Sequence, residues 1–237
     1  MTQTRNRTNL NYIDRGSIIN RRDFANWSSA AAASALLGFG PASSFAQTGK
    51  PEAGKDYRLL DKALPVDAPA GKVEVVEFFR YSCPHCFSFE PAIDAWVKKL
   101  PKDVSFRRVP VSFGDPQILL QKLFYSLDAM GLQEKMSGKV FSAIHVERIP
   151  LSSAEAIADW VAKQGVDKGK FVDQYKSFSV ATKASRATQT QNDYKVESVP
   201  SIGVHGRFIT DATLTQTNER ALLVAEYLAA QVRAKRI

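Results

Sequence analysis

The chain has 237 residues, 44% of them hydrophobic and 24% charged, enough for one sizeable core and too balanced for a disordered polymer. Its formal charge of +8 is spread in small pairs such as Lys98-Lys99 and Arg107-Arg108, which speaks against a nucleic-acid binder with a clustered basic stripe. Two cysteines and three scattered histidines leave no ligands for a structural zinc and no cysteine for a second, structural disulfide.

Residues 1–46 carry five arginines against two acids and read as an address rather than a domain. Arg21-Arg22-Asp23-Phe24 is followed by an Ala/Ser-rich apolar stretch, a breaker at Gly40-Pro41, and small residues at Ser44 and Ala46. Basic region, weakly apolar region and small residues describe an export signal cleaved after Ala46. The Arg-Arg-x-Phe arrangement resembles a twin-arginine signal. An uncleaved anchor and a surface helix are the competing readings. Residues 47–56, with Gly49, Pro51 and Gly54, read as a flexible linker.

The run from Gly71 to Arg80 is rich in Val and Phe and predicts a buried central strand. Cys83-Pro84-His85-Cys86 follows it directly. Phe89, Ile93, Trp96, Val97 and Leu100 then recur at helical spacing until Pro101. Residues 104–111 predict a second strand, parallel to the first because a helix joins them. From Asp115 the pattern turns helical, with segments expected near 117–130, 133–147, 153–164, 168–178 and 180–192. Strand patterns return at 201–204 and 207–210 around a tight turn at His205-Gly206. An amphipathic helix over 218–236 closes the chain. The fold class is therefore α/β, a four- or five-stranded sheet domain of residues 57–112 and 195–237 interrupted by a helical insert over 113–194.

Disulfide exchange needs a thiolate attacker and a second thiol near enough to resolve the mixed disulfide. Cys83 at a helix start meets the first need, because unpaired backbone N–H groups and the helix dipole favour negative charge there. Cys86 meets the second, since one helical turn puts both sulfurs on one side. Pro84 is preset for the first helical position, and His85 adds a donor and, when protonated, a positive charge. A better stabilised thiolate makes the disulfide form more oxidising. An inert buried pair and a zinc half-site are the bland alternatives.

These residues carry a resemblance. Val75-Val76-Glu77-Phe78-Phe79 and Cys83-Pro84-His85-Cys86-Phe87-Ser88-Phe89-Glu90 resemble the DsbA family of periplasmic dithiol oxidases, and Ser198-Val199-Pro200 resembles that family's Val followed by a cis-proline. The resemblance spans about residues 55–237 and implies a thioredoxin fold interrupted by an all-helical insert. It implies that Cys83 attacks, with a strongly depressed pKa for which this family is itself the standing example. It implies that Cys86 resolves, that His85 stabilises the Cys83 thiolate, and that Val199 and Pro200 meet the substrate peptide. It gives Glu77 the place of a buried acid relaying protons to Cys86, where burial would raise its pKa. The plain alternative for Glu77 is a strand residue facing solvent.

The expected protein is thus a monomeric periplasmic enzyme without cofactor or metal. It donates its Cys83–Cys86 disulfide to unfolded or partly folded exported proteins with free cysteines. The resemblance implies a DsbB-like membrane reoxidant. A disulfide isomerase or reductase on the same fold, and a non-catalytic binding or chaperone module, are the alternatives. His145 and His205 read as structural or turn residues.

Overall fold

The computed structural model describes residues 49–237, and the expected export signal and cleavage position lie outside them. The described chain runs β1 (Arg58–Leu59), β2 (Val73–Phe79), α1 (Pro84–Val97), β3 (Val104–Pro110), α2 (Asp115–Ala129), α3 (Gln133–His145), α4 (Ala154–Lys163), α5 (Lys168–Lys176) and α6 (Phe178–Asp193). It then continues through β4 (Ser201–Val204), β5 (Phe208–Asp211), α7 (Ala212–Thr215) and α8 (Asn218–Arg233). One sheet takes the order β1-β5-β4-β2-β3, with β2 and β3 parallel and the other pairs antiparallel.

Every residue of β2 is buried, which is why the strand reads as a nearly continuous apolar run. Alternation along it feeds two faces. Val73 and Val75 pack with Phe89, Ile93 and Trp96 of α1 and with Leu222 and Leu228 of α8. Val76 and Phe78 pack with Val109, Tyr194 and Ile209 on the opposite face. Phe79, at the strand end, joins a third cluster with Leu123, Phe141, Trp160 and Phe171 from the helices between β3 and β4. The end of β2 is therefore the point where sheet and helices meet.

Two local features depart from expectation. The stretch from Pro51 to Asp56, read as part of a flexible linker, is tied down. Gly54 turns the chain at φ +81°, Asp56 Oδ2 accepts the Glu52 N–H at 2.9 Å, and Thr210 Oγ1 donates to the Asp56 carbonyl at 2.7 Å. Arg220 reaches both Asp56 Oδ1 (3.3 Å) and the Gly49 carbonyl (3.1 Å). Its partners lie more than 150 positions away in the sequence, so no local pattern announces the anchor. The second feature is β1, too short for any periodicity, which adds an edge strand to β5.

The β4–β5 connection is the expected tight turn, three residues long, with His205 (φ +50°) and Gly206 (φ +64°) both left-handed and the Arg207 N–H donating to the Val204 carbonyl at 3.0 Å. The His205 N–H donates to the Glu74 carbonyl at 2.8 Å, lacing the turn to β2. Among the described residues no helix is long and apolar enough to cross a membrane.

Candidate active site

The chain leaves β2 at Phe79 and turns through Arg80, Tyr81 and Ser82. The Cys83 N–H donates to the Arg80 carbonyl at 3.0 Å and closes that turn. Cys83 is the N-cap of α1, in extended backbone (φ −90°, ψ 118°), and Pro84 takes the first turn, where its missing N–H costs nothing. The Phe87 N–H donates to the Cys83 carbonyl at 3.1 Å, the first bond of the helix. Cys86 lies one turn in. Both cysteines are free thiols, with Cys83 5% exposed and Cys86 fully buried.

The Cys83 thiol is held down to about 5, chiefly by a hydrogen bond from the Cys86 thiol. Burial opposes this, and the backbone N–H groups of Cys86 and His85 and the Arg80 charge add to it. The Cys86 thiol is pushed far up by that same shared bond, by burial and by the charges of Cys83 and Glu77. One sulfur is thus prepared as a thiolate and the other as its proton-holding partner. The His85 imidazole is exposed and makes no hydrogen bond to Cys83; His85 acts on the sulfur through its backbone N–H. Pro84 is exposed as well.

Sheet register brings the distant motif to this sulfur. Ser201, the first residue of β4, stands opposite Phe78 of β2, so the residues entering β4 lie beside those leaving β2. The Val199 carbonyl sits 3.5 Å from Cys83 Sγ, and the Val199–Pro200 peptide is cis.

Beneath the cysteines lies Glu77, fully buried in mid-strand. Its register partner on β3 is Arg108, whose Nε is 2.7 Å from Glu77 Oε2. The N–H does not point at the oxygen, and both Glu77 oxygens lack a hydrogen-bond partner. Burial pushes the Glu77 carboxyl up to about 7, with Arg108 pulling it down and Glu90 and Asp94 pushing it up. Arg108 itself is shared by Glu90 at 3.0 Å and Asp94 at 3.4 Å and lies over the Phe79 ring. Sequence reading missed Arg108. The signal was an acid in an apolar strand, which needs a cation on a neighbouring strand.

His145, expected to be structural, lies beside the site. Its Nε2 bonds the Tyr81 carbonyl at 2.8 Å, and its ring stacks on Phe87, centroids 5.0 Å apart and planes 8° from parallel. It therefore ties α3 to the turn that carries Cys83. A cleft of about 720 Å³ opens beside Arg108, lined by Glu90, Asp94, Arg107 and Tyr125 among others, and does not reach either cysteine. Among the described residues no cluster of His, Cys, Asp and Glu could hold a metal ion.

Comparison with known proteins gives a consistent result. Residues 74–223 match the model of the DSBA-like thioredoxin domain. The thiol:disulfide interchange protein DsbA of Burkholderia cepacia is 43% identical over 204 residues, covering 85% of this chain and 96% of that protein. Its namesake from Azotobacter vinelandii is 41% identical over 76% of this chain and 84% of its own. The crystal structure of Pseudomonas aeruginosa DsbA superposes with a TM-score of 0.75 at 40% identity, covering 78% of this chain and 96% of that one. The oxidoreductase DsbA from Xylella fastidiosa gives 0.72 at 30% identity, over 78% and 98%.

Proposed function

Because the chain belongs to the DSBA-like thioredoxin domain family, we propose that it is a periplasmic dithiol oxidase acting through Cys83 and Cys86. It is a thiol:disulfide oxidoreductase on an interrupted thioredoxin fold. The observation that carries the direction of the reaction is the environment of Cys83, where a thiol, two backbone N–H groups and a cation favour the thiolate.

A substrate thiolate attacks Cys83 Sγ of the oxidised pair, the Cys83–Cys86 bond breaks, and Cys86 leaves with the electron pair and takes a proton. A second substrate thiolate attacks the substrate sulfur of the mixed disulfide, and Cys83 leaves as a thiolate. The substrate loses two electrons and the protein gains them. Burial of Glu77 with a carboxyl near neutrality supports it as a proton holder for Cys86. The Val199 carbonyl beside Cys83 supports Val199 and Pro200 as the strand edge that meets a peptide. For His85 the support is its backbone N–H.

Substrates are exported proteins with free cysteines, met by a monomer, and a DsbB-like membrane protein returns the pair to the disulfide. A thioredoxin-like reductase would need a Cys83 nearer an ordinary thiol. The test is to mix oxidised protein with a reduced, unfolded disulfide protein. One disulfide should form per protein consumed, Cys83→Ser should abolish transfer, and transfer surviving that change would overturn the reading.

A further inference from the structure

Five arginines among the described residues are neither buried nor exposed: Arg58, Arg80, Arg107, Arg108 and Arg220. Four of them are ion-paired with carboxylates: Arg58 with Glu197, Arg107 with Glu74, Arg108 with Glu77, and Arg220 with Asp56. Arg80 is the exception. It has no carboxylate partner among the described residues, and its Nε is buried with no acceptor. A guanidinium has five donors and no way to shed its charge, so a half-buried one without an acceptor is costly unless something else supplies it.

Arg80 is also next to the chemistry. Its carbonyl receives the Cys83 N–H at 3.0 Å. Its guanidinium lies over the ring of Phe113, 5.7 Å from the centroid, at the loop between β3 and α2. A ring face holds a cation in place without neutralising it. Phe113 is itself 47% exposed, so its ring is open to a ligand. The result is a positive charge with no carboxylate partner among the described residues, beside an open apolar wall and one turn of chain from the reacting sulfur.

We propose that Arg80 and Phe113 form a subsite beside Cys83 for the carboxylate of an acidic residue flanking the reacting cysteine of a substrate polypeptide. This rests on the dithiol-oxidase reading and adds a preference to it. The carboxylate pairs with the terminal nitrogens of Arg80, the buried Nε being closed to any ligand, and its methylene groups lie on the Phe113 ring. Arg80 is here a specificity-determining residue, since exchange itself involves only the sulfurs.

The test uses two reduced cysteine peptides that differ only by Glu or Gln beside the cysteine. Each rate with the oxidised protein is divided by that peptide's rate with hydroxyethyl disulfide, an uncharged oxidant, which removes the effect of the acid on the peptide thiol. The wild type should favour the Glu peptide by about threefold to fivefold at low salt, the range of one exposed charge pair, and salt should shrink the ratio. Arg80→Met should bring the ratio to one, and Arg80→Lys should restore part of it. Any change of Arg80 that acts only through the Cys83 thiolate alters both rates equally and leaves the ratio alone. A wild-type ratio of one, or a ratio unmoved by salt and by Arg80→Met, overturns the subsite while the oxidase reading stands. If neither peptide is oxidised, the oxidase reading falls and the subsite with it. If Arg80→Met folds poorly, Arg80→Gln carries the same comparison, and a ratio that it leaves unmoved overturns the subsite.

Discussion

Arg108 Nε stands 2.7 Å from Glu77 Oε2, directly across the parallel β2–β3 register. Glu77 titrates at about 7 against an ordinary 4.5, so its ionised form is disfavoured in the folded protein. The penalty is absent below about 4.5, grows as pH rises from there to about 7, and is constant above. Arg108→Met removes the cation that offsets it. The variant should lose about 3–5 kcal/mol at pH 8, the usual cost of breaking a buried pair, and clearly less at pH 5, where Glu77 is protonated. Urea unfolding at the two pH values checks this, and equal losses would show that the pair is not the cause.

The thiolate at Cys83 predicts the opposite slope in the reduced protein. Its pKa is lowered from 9.0 to about 5 on folding, so it adds stability that is fully present above about 9 and is lost as pH falls towards 5. Cys86 is protonated in both folded and unfolded chains below 9 and contributes no slope there. The oxidised protein has neither thiol. The stability of the reduced form relative to the oxidised form should therefore shrink steadily between pH 9 and 5, which parallel thermal melts of both forms would measure.

Cys86→Ala separates the contributions to that thiolate. The Cys86 thiol is the largest of them, so the variant should raise the Cys83 titration above 5. The backbone N–H groups of residues 85 and 86 and the Arg80 charge remain and should keep it below 9.0. Thiolate absorbance across pH reads the midpoint directly. The same variant, loaded with a substrate, should accumulate as a mixed disulfide through Cys83 because no resolving thiol is left.

Gly203 in β4 tests the packing under the site. A Cβ there would collide with the Tyr194 ring and approach Phe78 Cε2 to 3.1 Å. Tyr194 cannot swing away freely, because its hydroxyl accepts the Gly206 N–H at 2.9 Å. Gly203→Ala should cost about 1–3 kcal/mol by overpacking, visible as a lower melting temperature with thiolate titration unchanged.

What was legible in the sequence was what local pattern encodes. The Val/Phe run of β2 and Pro84 after Cys83 act within a few residues, and their elements stand close to where they were expected. What escaped depends on pairing across the chain. Arg108 matters because register sets it against Glu77, and His145 because α3 lands on the turn at Tyr81. Asp56 is anchored by Thr210 and Arg220. His85 is the reverse case. Its place in the motif drew attention to the imidazole, while the structure involves its backbone N–H, which any residue there other than proline would supply.

Cys83 is a stabilised thiolate, and this makes the pair an oxidant. The most direct measurement is the equilibrium of the Cys83–Cys86 disulfide with glutathione at pH 6, 7 and 8. With Cys83 titrating at about 5, reduction releases one proton, so the equilibrium constant should rise about tenfold per pH unit, equivalent to about 30 mV, and at pH 7 should lie well to the oxidising side of the glutathione pool. A constant that does not change with pH, together with a potential near that of thioredoxin, would contradict the account and leave a reductase as the better description.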